Sequence, residues 1–306
     1  MNGLHSHIKQ YPNVTLDTCG IGRQSLLMTG QCLHYSMTEN IQNGRLAEPG
    51  EWPWIALILM KKYFVNQTIE KSSKCTGVVL NANWILTNAH CIRSNHTITV
   101  RTVYDWRHEG HTYGMSQSFI HPDFQKTGAK QPDHRYDIAL VKLVQQIPIS
   151  NTVITTTSSG NQYSLINGIC LPDIDLINTD NELALIAGFG YIDEGVDNYG
   201  PLMMGSLMIA KPVYNKIDAM GNWILGYRHP LEDTSAAVCR GDSGGPLVQY
   251  VGSRAVLIGL QWASVRKGDC QSKNPSKRMS FMRGDSGGPL IYYVDGGGRA
   301  VLIGLL

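Results

Sequence analysis

Three residue types that together can transfer an acyl group stand in this chain, each beside a run that reads as a strand. Ser243 lies in Gly241-Asp242-Ser243-Gly244-Gly245, whose glycines allow a turn tight enough to expose a hydroxyl. His90 ends the run that starts at Trp84, and Asp137 directly precedes the apolar run Ile138 to Leu143. Acyl transfer by a serine needs a base to take the hydroxyl proton and an acid to hold that base in one tautomer. It also needs donors to meet the oxyanion. Singly, each residue has a structural explanation: a histidine closing a strand, an aspartate in a turn. Those explanations do not account for the set in the order His, Asp, Ser.

These residues need a scaffold, and the composition points to short strands. The chain has 306 residues, enough for one large domain or two smaller ones. Only 16% of residues are charged and the net charge is +2, so no basic field calls for nucleic acid. With 32 glycines and 13 prolines, runs such as Thr97 to Val103 and Ala139 to Val144 sit between turn clusters, which predicts an all-β fold rich in loops. No long amphipathic helix is evident. No run reaches the roughly 18 apolar residues of a membrane span.

Seven cysteines (Cys19, Cys32, Cys75, Cys91, Cys170, Cys239 and Cys270) include no Cys-x-x-Cys pair, which speaks against zinc. Their wide spacing predicts structural disulfides and an oxidising compartment. The first residues, Met-Asn-Gly-Leu-His, lack the apolar core of a signal peptide. The expectation is therefore a secreted protein whose natural N-terminus lies further upstream. Asn13, Asn66 and Asn95 fit the glycosylation pattern, although a chain this rich in Asn and Thr forms such triplets by chance. Apart from His90, the ten histidines show no ligand spacing and read as structural or surface residues.

From about Ile41 to Cys270 the chain resembles the chymotrypsin/trypsin family of serine endopeptidases. The resemblance rests on Pro53-Trp54, Thr87-Asn-Ala-His90-Cys91, His121-Pro122, Asp137-Ile-Ala-Leu, Cys170-Leu-Pro172, Gly188-Phe-Gly190 and Gly241 to Pro246. It implies two antiparallel Greek-key β-barrels with the active site in the cleft between them, here without a C-terminal helix. Residues 41–282 would form the protease domain, with the first barrel over about 41–160 and the second over about 161–282, after a 1–40 propeptide segment. His90 would be general base and then acid, Asp137 its orienting partner and Ser243 the nucleophile. The N–H groups of Gly241 and Ser243 would form the oxyanion hole. The resemblance also implies disulfides Cys75–Cys91 and Cys239–Cys270, and pairs Cys170 with Cys19 or Cys32, leaving one thiol over. No cofactor or metal is implied, and no calcium ligands are recognisable around Asp105 to Glu109.

Ile41-Gln-Asn-Gly44 resembles the family's mature N-terminus. Cleavage before Ile41 would free an amine that folds inward to meet the Asp242 carboxylate, a buried charge pair acting as a switch. Asn40 replaces the usual basic residue, so the activating protease cutting at Asn40–Ile41 is expected to be non-tryptic. Ala237 stands six residues before the serine, where trypsin-like members carry Asp, which argues against Arg or Lys preference. Gln261-Trp262-Ala263 replaces Ser-Trp-Gly: Ala263 narrows the pocket mouth, and Gln261 removes a hydroxyl expected beside Asp137. Small or apolar preference ranks first, and an acidic one second because of Lys277 and Arg278.

The segment Arg240 to Leu247 recurs letter for letter as Arg283 to Leu290, and residues 240–260 align with 283–305. Each copy reads as a serine loop feeding a β-hairpin, with turns at Gly252-Ser253 or Asp295 to Gly298. The second has Met282 in place of Cys239. It reads as a local duplication, residues 283–306, standing where the family has its last strand and helix. The Arg-Gly-Asp triplets at 240–242 and 283–285 also fit adhesion motifs, but Asp242 is already committed to Ile41. The expected protein is a secreted monomeric zymogen with peptide substrates and protease inhibitors as partners, and neither nucleic acid nor membrane. The alternative is a catalytically weak or inactive homologue that binds proteins through the same cleft, a reading favoured by Asn40, Gln261, Ala263 and the missing C-terminal helix.

Overall fold

The computed structural model describes residues 19–22, 45–48, 50–64, 69–93, 96–102, 110–125, 137–150, 166–171, 183–190, 201–210, 223–227, 238, 241–261, 279–282, 290–293 and 301–304. In chain order the strands are β1 (Arg45–Leu46), β2 (Ile55–Tyr63), β3 (Ile69–Asn81), β4 (Trp84–Thr87), β5 (Thr97–Thr102), β6 (Thr112–Ile120) and β7 (Ala139–Leu143). There follow β8 (Leu183–Gly188), β9 (Met203–Ala210), β10 (Trp223–Tyr227), β11 (Pro246–Val251), β12 (Arg254–Gln261), β13 (Met279–Met282), β14 (Leu290–Tyr293) and β15 (Val301–Gly304). Helix among the described residues amounts to Pro122–Gln125 and the 3₁₀ turn Ala89–Cys91, and neither is long or apolar enough to cross a membrane.

Strands β2, β3, β4, β7, β6 and β5 close, in that order, into an antiparallel barrel. The second sheet runs β1-β9-β10-β13-β12-β11-β8, and an additional β8–β9 pairing closes it on itself. The fold is thus the expected pair of antiparallel barrels. Arg45–Leu46, in the range expected of the first barrel, pairs instead with β9 of the second.

Strand periodicity explains how the barrels meet. Successive side chains point to opposite faces, and in β2 both faces are apolar. Ala56, Ile58 and Met60 fill the first barrel with Val79, Ile85, Val100 and Val141. Ile55, Leu57 and Leu59 face the other way, into a core shared with Phe189, Met204, Val248 and Leu257 of the second barrel. A strand buried on both sides reads as a continuous hydrophobic run for this reason. Trp54 and Phe189 are fully buried at that junction, and each large side chain buried there contributes about 1.5–3 kcal/mol.

The end of the second barrel corrects one expectation. Its closing strand is not displaced by the second serine-loop copy: β13, immediately before that copy, pairs with both β10 and β12. Both copies feed hairpins as expected, β11–β12 and β14–β15, but the latter forms a separate two-stranded sheet.

Candidate active site

Pairing of β4 with β7 sets Thr87 opposite Ala139, which brings the turn after β4 beside the residues before β7. Asn88 leaves β4 extended, and its side-chain amide donates to the Asp137 carbonyl at 2.8 Å. The chain then tightens into the Ala89–Cys91 turn, which carries His90. Asp137 is fully buried, and its carboxylate is spent on this turn. Oδ1 accepts the His90 backbone N–H at 2.8 Å, and Oδ2 meets His90 Nδ1 at 2.5 Å. A carboxylate only accepts, so Nδ1 carries a proton, and in the neutral ring Nε2 holds the lone pair. These charge-assisted bonds offset the desolvation of the carboxylate. The histidine side chain stays 30% exposed while its partner is sealed.

The serine loop is shaped by two glycines in the left-handed region, Gly241 at φ +104° and Gly244 at φ +83°. A Cβ on Gly244 would lie 2.1 Å from Thr87 Oγ1 and 2.3 Å from the Thr76 carbonyl oxygen, so the loop is pressed against the strands that lead to His90. Thr76 of β3 is the contact point. Its N–H donates to the Ser243 carbonyl at 2.8 Å, and its hydroxyl donates to the Gly241 carbonyl at 3.0 Å. In return, its hydroxyl oxygen accepts the Phe189 N–H at 3.3 Å, and its carbonyl accepts the Thr87 hydroxyl at 2.8 Å. The disulfide Cys75–Cys91 ties the same strand to the histidine turn, with Cys91 Sγ 3.8 Å from the Ser243 carbonyl oxygen. Cys75, His90 and Cys91 also form a tight cluster, but both sulfurs are spent in the disulfide, so no thiolates remain for a metal.

Asp242 turns inward. Its carboxylate accepts the Gly190 N–H at 2.6 Å and lies in a slot between Gly188 and Gly190, where a Cβ on either would come within 2.2 Å of it. Lys74 of β3 is buried nearby, its Cε 2.9 Å from where a Cβ on Gly241 would stand. Burial pushes its ammonium down to about 8, against the opposing pull of Asp242.

Gln261 turns its side chain away from Asp137. Its backbone pairs with Gly244 and Gly245, at 2.9 and 2.7 Å, which turns its side chain beneath the serine loop. There its amide donates to the carbonyls of Ala187 at 2.7 Å and Pro246 at 3.2 Å, bracing the second barrel rather than facing Asp137. Of the two partners open to Cys170, the structure has Cys19. Gly20 donates to Gly168 and accepts from Ala255, and Arg254 caps the Cys19 carbonyl at 2.8 Å, so residues 19–22 are stitched to the second barrel.

The structure therefore brings His90, Asp137, Gly241, Asp242 and Ser243 into one neighbourhood. Ile41, Asn40, Ala237, Trp262, Ala263, Cys32, Cys239, Cys270 and Ser286 lie outside the described residues, as do Asn13, Asn66, Asn95 and the segment 105–109. Sequence reasoning missed Thr76 and Lys74. Their proximity to Cys75, already tied to the histidine loop, was the available signal.

The sequence profile of the Trypsin family matches residues 41–277. Among curated proteins, Vitamin K-dependent protein C of Mus musculus is 28% identical over 72% of this chain and 45% of its own length. Serine protease 28 of Mus musculus is 26% identical over 82% of this chain and 89% of its own. Venom serine protease Bi-VSP of Bombus ignitus is 27% identical over 68% and 56%. The chain thus spans about half the length of several relatives, and most of Serine protease 28. With a profile covering well over half its length, on a two-barrel frame, the chain belongs to the trypsin family of serine endopeptidases.

Proposed function

We propose that the protein is a secreted serine endopeptidase, made as a zymogen, that hydrolyses peptide bonds through an acyl-enzyme. The observation that carries this reading is the two-point hold of buried Asp137 on His90, whose side chain stays partly exposed with Nε2 turned from that carboxylate. A module that only binds proteins has no use for that arrangement beside the Ser243 turn, which holds its serine nearly buried rather than exposed.

In this reading Nε2 of His90 takes the proton from Ser243 Oγ as that oxygen bonds to the substrate carbonyl carbon. The N–H groups of Gly241 and Ser243 meet the resulting oxyanion. Imidazolium then gives its proton to the leaving amine as the C–N bond breaks, and water repeats the sequence on the ester. Asp137 stabilises the imidazolium throughout. Cleavage at Asn40–Ile41 supplies an amine for Asp242, and Ala237 gives the substrate pocket no carboxylate, so small or apolar residues are preferred over Arg and Lys. The matching family and the disulfides Cys19–Cys170 and Cys75–Cys91 support this reading, the latter as bonds suited to an oxidising compartment.

A fluorophosphonate probe offered to the chain after cleavage before Ile41 tests it. Labelling lost in Ser243→Ala and retained in Ser286→Ala is the expected result. An unlabelled wild-type chain would return the protein to the class of inactive homologues. N-terminal sequencing of the active form is expected to begin at Ile41, and any other start overturns the activation step.

A further inference from the structure

The two residues whose N–H groups are assigned to the oxyanion are held by one residue of the opposite barrel. Thr76 reaches Gly241 with its hydroxyl and Ser243 with its N–H, gripping the carbonyls on both sides of Asp242. Fixing those two carbonyls restricts the 241–242 and 243–244 peptide planes, which flank the plane carrying the Ser243 N–H, in a loop whose Gly241 and Gly244 already occupy conformations that favour glycine. The grip is itself anchored. The same hydroxyl accepts from Phe189 N–H, between the two glycines that enclose the Asp242 carboxylate, and the Thr76 carbonyl accepts from Thr87, three residues before His90. A β-branched side chain buried in a strand has few rotamers, and this one both donates and accepts.

We infer that Thr76 is a positioning residue for catalysis: its hydroxyl sets the oxyanion donors of the second barrel in register with the histidine of the first. Without the hydroxyl, the Gly241 carbonyl loses a donor and Phe189 N–H an acceptor, both buried. The loop then samples orientations in which the donors miss the position the oxyanion takes. The effect falls on the transition state rather than on substrate binding, because the ground-state carbonyl makes weaker use of the donors. This inference rests on the proposed serine mechanism.

The test compares Thr76→Val, which removes the hydroxyl at nearly constant shape, with Thr76→Ser, which keeps it. For the Ile41-cleaved chain, Thr76→Val is expected to lower kcat about tenfold or more with KM changed less than about twofold. Thr76→Ser is expected to recover most of that loss. In parallel, amide exchange of the 241–245 segment is expected to quicken in Thr76→Val and return towards wild type in Thr76→Ser. Should Thr76→Val fail to fold, Thr76→Ala takes its place. Unchanged kcat, a loss confined to KM, unaltered exchange, or a Thr76→Ser variant no better than Thr76→Val each overturns the inference. Fluorophosphonate labelling of the wild-type chain, measured first, reports on the serine mechanism separately: a labelled wild type with an indifferent Thr76 sinks only the positioning role.

Discussion

Asp137 grips His90 at two points with one carboxylate, the backbone N–H at 2.8 Å and the ring Nδ1 at 2.5 Å. The first bond fixes the turn and the second fixes the tautomer, so main chain and side chain are oriented by the same buried group.

Asp137→Asn separates these duties. Asn still has an oxygen for the backbone N–H, but its amide nitrogen donates towards Nδ1 and selects the wrong tautomer. The expected fall in kcat is about 10⁴-fold with a small change in unfolding midpoint, read by steady-state kinetics beside thermal denaturation.

Gly244 and Gly252 offer a paired test of packing against conformation. Both have positive φ, +83° and +59°, but a Cβ on Gly244 collides with Thr87 and Thr76 while nothing lies within 4 Å of one on Gly252. Gly252→Ala should cost about 1 kcal/mol. Gly244→Ala should cost roughly 3–5 kcal/mol and disturb the serine loop, as measured by denaturant unfolding.

Lys74 gives the protein a pH dependence of definite sign. Its ammonium is at about 8 when folded against an ordinary 10.5, so the unfolded chain binds more protons between those values. Stability from this group is therefore lowest below about pH 8 and rises as the pH climbs to about 10.5, by up to ~3 kcal/mol. The difference in unfolding free energy between Lys74→Met and wild type should favour the variant at pH 7 and shrink across that window. A difference independent of pH would refute the assignment.

The two disulfides should contribute unequally. Cys19–Cys170 joins residues 151 apart and Cys75–Cys91 residues 16 apart. On chain entropy, removing the first costs about 5 kcal/mol and the second about 3. Paired Cys→Ser variants, compared by guanidinium unfolding, check the order.

The pairing of His90 with Asp137 was legible in the sequence because chemistry dictates their identities and their neighbours dictate the turns. The barrels were equally open to reading, since β4, β5 and β7 appear as short strand-like runs set between turns. What stayed hidden depends on register. The contacts of Gln261 are of this kind, because the direction of its side chain follows from pairing with Gly244 and Gly245, which no local pattern reveals. Cys19 and Cys32 were equivalent by position, and only the docking of Gly20 on Ala255 separates them. Thr76 looked like one more strand threonine. The four-residue β13 was overshadowed by the copied motif that follows it.

A repeated stretch of sequence carries with it only the contacts that lie within it. The repeated stretch carries the Gly-Asp-Ser-Gly-Gly-Pro segment and its hairpin, and the hairpin forms. Yet the first loop draws its setting from Thr76, from Thr87 to Cys91, from Asp137 and from Gly188 to Gly190, segments scattered along more than a hundred residues. Such a site has no local address in the sequence. Repetition of the 240–260 stretch therefore brings none of those distant segments with it.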